Sequence, residues 1–196
     1  MMTFLPKSVL ATILAALTFA LCASGSALAA TPPKVQFTTT AGAFTVELYP
    51  DKAPRTVANF LSYVKSGHYN GTLFHRVIDG FMIQGGGFDK ELRQKPTQPS
   101  IPLEARNGLK NSTGMVAMAR TDDPDSATSQ FFINVVDNRN LDYPLPDGHG
   151  YAVFGKVVDG MATVHKIRAV RTTRTGPMKD MPVTPVVIES AKVLSK

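Results

Sequence analysis

Phe74-His75-Arg76-Val77-Ile78-Asp79-Gly80-Phe81-Met82-Ile83-Gln84-Gly85-Gly86-Gly87-Phe88 sets two short apolar runs on either side of an Asp-Gly break and closes on three glycines. Runs this short, bounded by Gly and Asp, read as strands, because a helix needs more residues to bury a stripe. Within them a guanidinium stands among aromatics, a thioether and an amide. A charge out of water is costly unless it is answered, so Arg76 must pair, reach solvent or serve a ligand. One reading pairs it with a carboxylate such as Asp79 or Glu104 and leaves the phenylalanines as core. The other makes the stretch a site.

Working outward, Val35 to Thr39 and Phe44 to Tyr49 read as strands around an Ala41-Gly42 turn. Pro54 suits a first helical position, Val57, Phe60, Leu61 and Val64 recur at helical spacing, and Gly67 stops the run. A shorter helix spans Met161 to Arg168. Further short apolar segments are Leu73 to Ile78, Phe81 to Gln84, Met115 to Ala119, Gln130 to Val136, Ala152 to Val158 and Val186 to Leu194. Roughly eight strands and two helices in one small domain, without strand–helix alternation, favour a barrel or sandwich over a parallel sheet. The helices are expected to plug or cap open ends. Between Phe88 and Gly114, Pro96, Pro99 and Pro102 mark a long ordered excursion over the surface.

The N-terminus reads as an export signal: Lys7, an apolar run from Val9 to Leu21, and Ala27-Leu28-Ala29 as the cleavage site. That run is shorter than the roughly 18 to 20 residues needed to span a bilayer. Cys22 follows Leu21, where a lipidation site has a small residue, so a lipoprotein is disfavoured. Residues 1–29 are therefore expected to be removed and residues 30–196 to form one domain, without membrane attachment, in the periplasm or, alternatively, secreted. Cys22 is the chain's one cysteine, so stability must come from an ordinary core. The formal charge of +6 is spread along the chain with no nucleic-acid motif, and nucleic acid is not an expected partner.

Period-two alternation in Gln130-Phe131-Phe132-Ile133-Asn134 puts Gln130, Phe132 and Asn134 on one face and Phe131, Ile133 and Val135 on the other. The same rule places Phe74 with Arg76, opposite His75 and Val77, and groups Met82 with Gln84. Three segments then share an apolar surface carrying a few polar groups, the composition of a small-ligand or peptide pocket. Other chemistries lack support. His68, His75, His149 and His165 have no metal-ligand spacing. Ser129 has no G-x-S-x-G elbow, and the glycine triplet lacks the context of a phosphate loop, leaving it a structural role.

The Phe-His-Arg-Val-Ile-x-Gly-Phe-Met-Ile-Gln-Gly-Gly stretch, followed by Met118-Ala119 and Ser129-Gln130-Phe131-Phe132-Ile133, resembles the cyclophilin family of peptidyl-prolyl isomerases. The likeness runs from about Val35 to Leu194, and the segment from Met118 to Asn134 looks most like bacterial exported and cytoplasmic members. It implies a mainly β fold: a closed eight-stranded antiparallel barrel capped by two α-helices, with the substrate groove on the outer face. It further implies that Arg76 is catalytic, that Phe81, Met82, Phe132 and Leu141 line a proline pocket, and that Gln84 and Gln130 hold the peptide backbone. Ala119 and Arg120 align with residues contacting the preceding part of the substrate. Tyr151 replaces the family's pocket histidine.

Two departures stand out. Many eukaryotic members have asparagine at the position of Arg120. Near Leu141 they carry a tryptophan, whereas this chain has none and offers Asn140 or Tyr143, so weak cyclosporin binding is expected. The implied activity is acceleration of X-Pro rotation in unfolded or extended proline-containing polypeptides, by a monomer without cofactor or metal, during folding of exported proteins. A proline-peptide binding module or holdase is the alternative.

Overall fold

The computed structural model describes residues 31–195; the expected export segment and Cys22 lie outside the described residues. The Ala41-Gly42 break turns the chain as read: β1 (Lys34–Thr39) pairs antiparallel with β2 (Gly42–Leu48), and Phe37 faces Phe44 across the ladder. Their rings stack with centroids 5.0 Å apart. The chain then forms α1 (Pro54–Lys65), β3 (Thr72–Ile78), β4 (Met82–Gly85), β5 (Met115–Met118), β6 (Phe131–Asn134), β7 (Val153–Asp159) and α2 (Met161–Arg168). After it come β8 (Thr172–Thr175), β9 (Met178–Pro182) and β10 (Val187–Val193).

Eight strands close a barrel in the order β1-β10-β3-β4-β6-β5-β7-β2, every neighbour antiparallel. Closure removes the open edges that would otherwise template aggregation. β8 and β9 form a separate two-stranded hairpin, which the sequence reading missed. Arg171-Thr172-Thr173-Arg174-Thr175 has no apolar face to alternate, and β8 is almost wholly exposed.

Each helix packs an apolar stripe on the barrel's interior cluster. Phe60 of α1 is fully buried, 4.9 Å from Phe154 and 5.7 Å edge-on from Phe131, while α2 contributes Val164 and Ile167. Pro54 occupies the first turn, where its missing N–H is no loss. The N–H groups of Arg55 and Thr56 donate to Glu104, at 3.1 and 2.8 Å. A carboxylate from the Phe88–Gly114 excursion thus caps the helix, a place favoured by the helix dipole. Glu104 is thereby occupied, and it is not the partner of Arg76.

Strand alternation sorts the remaining apolar residues into two populations. Ile83, Val116, Met118, Phe131, Ile133 and Phe154 point into the barrel. Met82, Ala117, Phe132 and Val153, their sequence neighbours, point out and build a second cluster on the outer surface. That outer cluster carries the site.

Candidate active site

A cavity of about 190 Å³ opens in the outer cluster, lined by Arg76, Phe81, Met82, Gln84, Ala119, Arg120, Phe132, Leu141 and Tyr151. Met82 and Phe132 reach it from adjacent strands, β4 and β6, with Gln84 directly opposite Phe132 in the ladder. Leu141 comes from a short 3-10 turn, Arg139–Leu141, and Tyr151 from the chain entering β7.

Arg76 gets there by an irregularity. Strict alternation would place Phe74 and Arg76 on one face, but the β3–β4 register shifts between them. Phe74 is buried in the interior cluster with Val77, while Arg76 lines the outer cavity. A bulge adds one residue and so flips the parity beyond it. That residue, His75, is buried with its ring 4.8 Å from Phe88. Its Nδ1 has no hydrogen-bond partner. Burial, reinforced by the neighbouring Arg76 charge, lowers its pKa to about 4.

The Arg76 side chain is 44% exposed, and its Nε lies 4.0 Å from Asp180 Oδ2 on β9. Asp79, the other carboxylate considered from sequence, pairs with Arg168 at 3.6 Å. Beside the arginine, Gln84 Nε2 donates to Gln130 Oε1 at 2.9 Å. Gln130 lies just outside this cavity and lines its neighbour, which shares Gln84, Ala119 and Arg120. Gly87 makes room for it: a Cβ there would come within 2.6 Å of the Gln130 side chain.

The far wall is fixed by polar groups. Phe132 and Tyr151 meet edge to face at 5.6 Å, a favourable quadrupole arrangement. The Arg120 guanidinium lies 4.6 Å over the Tyr151 ring and donates to Gly150 O, Thr121 O and Asp147 Oδ2. Deeper, Asn138 donates to the Phe81 carbonyl at 2.8 Å and to Asn134 Oδ1 at 2.8 Å. Asn111 donates to the Leu141 carbonyl and receives Asn134. Two wall residues, Phe81 and Leu141, therefore hang from one buried amide network.

A profile of cyclophilin type peptidyl-prolyl cis-trans isomerases matches residues 34–193. The chain belongs to the cyclophilin family. Relatives include "Peptidyl-prolyl cis-trans isomerase A" of Dickeya dadantii, 52% identical over 191 residues, covering 97% of this chain and 99% of the relative. "Peptidyl-prolyl cis-trans isomerase B" of Escherichia coli is 54% identical over 161 residues, 81% of this chain and 98% of that one. Among solved structures, a Cryptosporidium parvum cyclophilin determined in the presence of the dipeptide Ala-Pro superposes with a TM-score of 0.68 at 27% identity, covering 83% of this chain and 99% of that chain.

In this cyclophilin the residues singled out from sequence converge, apart from Gln130's place next door. Neither candidate for the tryptophan position lines the cavity: Asn140 is exposed, and Tyr143 lies under Arg106 at 4.6 Å beside a different pocket. Sequence reasoning missed Asp147, Asp180, Asn111 and Asn138, and it places Asn134 on the face of Phe132 without its partners. Asp147 is 27 residues from Arg120 in a polar loop, and no local pattern joins them.

Proposed function

We propose that this peptidyl-prolyl cis-trans isomerase uses Arg76 to stabilise the twisted X-Pro amide. The supporting observation is the half-exposed Arg76 guanidinium at an apolar cavity flanked by the Gln84–Gln130 pair. X-Pro rotation breaks amide resonance over a barrier of about 18–20 kcal/mol and makes no covalent bond, so neither nucleophile nor metal is required. As conjugation is lost, the proline nitrogen pyramidalises and gains a lone pair. A charge-assisted hydrogen bond from Arg76 then exists in the twisted amide and not in the planar one, which is differential transition-state binding.

Phe81, Met82, Phe132 and Leu141 hold the ring, with Tyr151 closing the wall. Gln84 and Gln130 hold the backbone, and Ala119 and Arg120 border the preceding residues. The substrates are unfolded or extended proline-containing chains, of which the Ala-Pro dipeptide present with the Cryptosporidium parvum cyclophilin is a minimal form. The enzyme acts as a monomer on proteins newly exported to the periplasm, and cyclosporin binds it weakly, since no tryptophan is present.

A protease-coupled peptide assay on residues 30–196, with Arg76→Lys alongside, tests the activity. An isomerase loses turnover more than peptide affinity in the variant. Equal loss of both identifies a binding module. Cell fractionation, with the mass of the mature chain, tests export.

A further inference from the structure

We propose that Asp147 is a positioning residue for the proline cavity: through Arg120 it holds Tyr151 against Phe132 and so sets the cavity's far wall. The inference rests on the isomerase reading of that cavity and names a residue outside its lining.

The loop between Leu141 and Tyr151 begins and ends on cavity residues, and Tyr151 N–H donates to Leu141 O at 3.0 Å. Its base is thereby closed. Asp147, in the loop, turns one carboxylate oxygen to the N–H groups of His149 and Gly150. The other receives Arg120 Nη2 at 2.6 Å. Gly150 sits where the loop crosses itself, at φ 72°, with Tyr143 N only 2.6 Å from where a Cβ would be. Asp147 therefore rigidifies the loop and clamps it to Arg120.

Arg120 is the lever. Its side chain is 2% exposed, and a charge so buried must keep its partner or rearrange. Nε, Nη1 and Nη2 each donate, to Gly150 O, Thr121 O and Asp147. The guanidinium is thus committed to the protein, and its face lies over Tyr151. Arg120 lines both the proline cavity and the neighbouring pocket. Loss of the Asp147 carboxylate releases the guanidinium, frees Tyr151 and opens the wall between the two spaces.

The test compares wild type, Asp147→Asn, Arg120→Lys and the double variant, using an Ala-Pro-containing tetrapeptide anilide. Turnover is read in the protease-coupled assay, affinity of the same peptide by calorimetry or NMR titration, and folding by thermal melting. Asp147→Asn is expected to raise KM and weaken peptide affinity about tenfold while kcat changes less than about threefold, because a wall residue is loosened and Arg76 is untouched. Arg120→Lys, which cannot span three acceptors, is expected to match it, with a non-additive double variant. A folded Asp147→Asn protein with wild-type peptide affinity overturns the proposal. So does a double variant whose losses add, or a melting shift with KM unchanged. Because affinity is read without turnover, an inactive wild type that binds peptide would sink the isomerase reading while leaving the clamp open to the same comparison.

Discussion

The Arg76 guanidinium lies 4.0 Å through Nε from the carboxylate of Asp180, a residue 104 positions along the chain (180 less 76) on a hairpin outside the barrel. Asp180 is one of two non-glycine residues with positive φ among those described, at 59°. Aspartate tolerates that left-handed conformation better than most side chains. The separation exceeds a hydrogen bond, and both side chains are more than two-fifths exposed. Arg76 is therefore steadied by an acid rather than consumed by one.

From this follows a small effect. Exposed ion pairs contribute about 0–1 kcal/mol, so Asp180→Asn is expected to shift unfolding free energy by less than about 1 kcal/mol and turnover by less than about fivefold. Urea unfolding and the peptide assay check it. A hundredfold loss of turnover in a folded variant would make Asp180 part of the catalytic machinery.

His75 makes stability depend on pH. Its pKa is lowered from 6.5 to about 4 by burial and, to a lesser extent, by Arg76, against the opposing influence of the Leu73 backbone and Gln130, and the Phe88 ring packs against it. Between those values the unfolded chain binds a proton that the folded chain does not. Stability from this group is full above pH 6.5 and falls as pH drops toward 4, by up to about 3 kcal/mol. Urea titrations at pH 7.5 and 4.5 on wild type and His75→Leu measure the difference. Equal pH slopes in the two proteins would remove His75 as the source.

Gly87 is expected to matter to function more than to folding. A Cβ there meets Gln130 Cγ, Cδ and Nε2 between 2.6 and 2.8 Å, so Gly87→Ala must displace that side chain and break the Gln84–Gln130 bond. Because the obstacle is a side chain that can swing, the stability cost is expected to stay near 1 kcal/mol, while peptide affinity falls several-fold. Calorimetric peptide titration reads it, and unchanged affinity would show that Gln130 does not hold the substrate.

Much of this was legible in the amino-acid order because local rules governed it. The alternation at Gln130–Asn134 placed Phe131 and Ile133 inside and Phe132 outside, and the spacing in Met161–Arg168 gave α2 its observed bounds. What escaped depended on partners distant in sequence. The bulge at His75 exists only in the register of β3 against β4. Glu104 caps a helix 49 residues before it. β8 has no apolar face to announce the hairpin, while Met178 and Met181 of β9 pack on Leu73 and Val187, distant in sequence; Asp180, the acid beside Arg76, travels on β9.

The central claim is that Arg76 stabilises the twisted amide rather than merely the bound peptide. One or two charged hydrogen bonds at roughly 1.5–3 kcal/mol each, with about tenfold in rate per 1.36 kcal/mol, correspond to a factor on the order of 10 to 10⁴. The decisive measurement is turnover of Arg76→Ala in the protease-coupled assay, beside its peptide affinity and melting temperature. The expected result is a folded protein that binds peptide within about threefold of wild type and loses on the order of a hundredfold or more in kcat/KM. A folded Arg76→Ala protein with unchanged turnover would contradict the account.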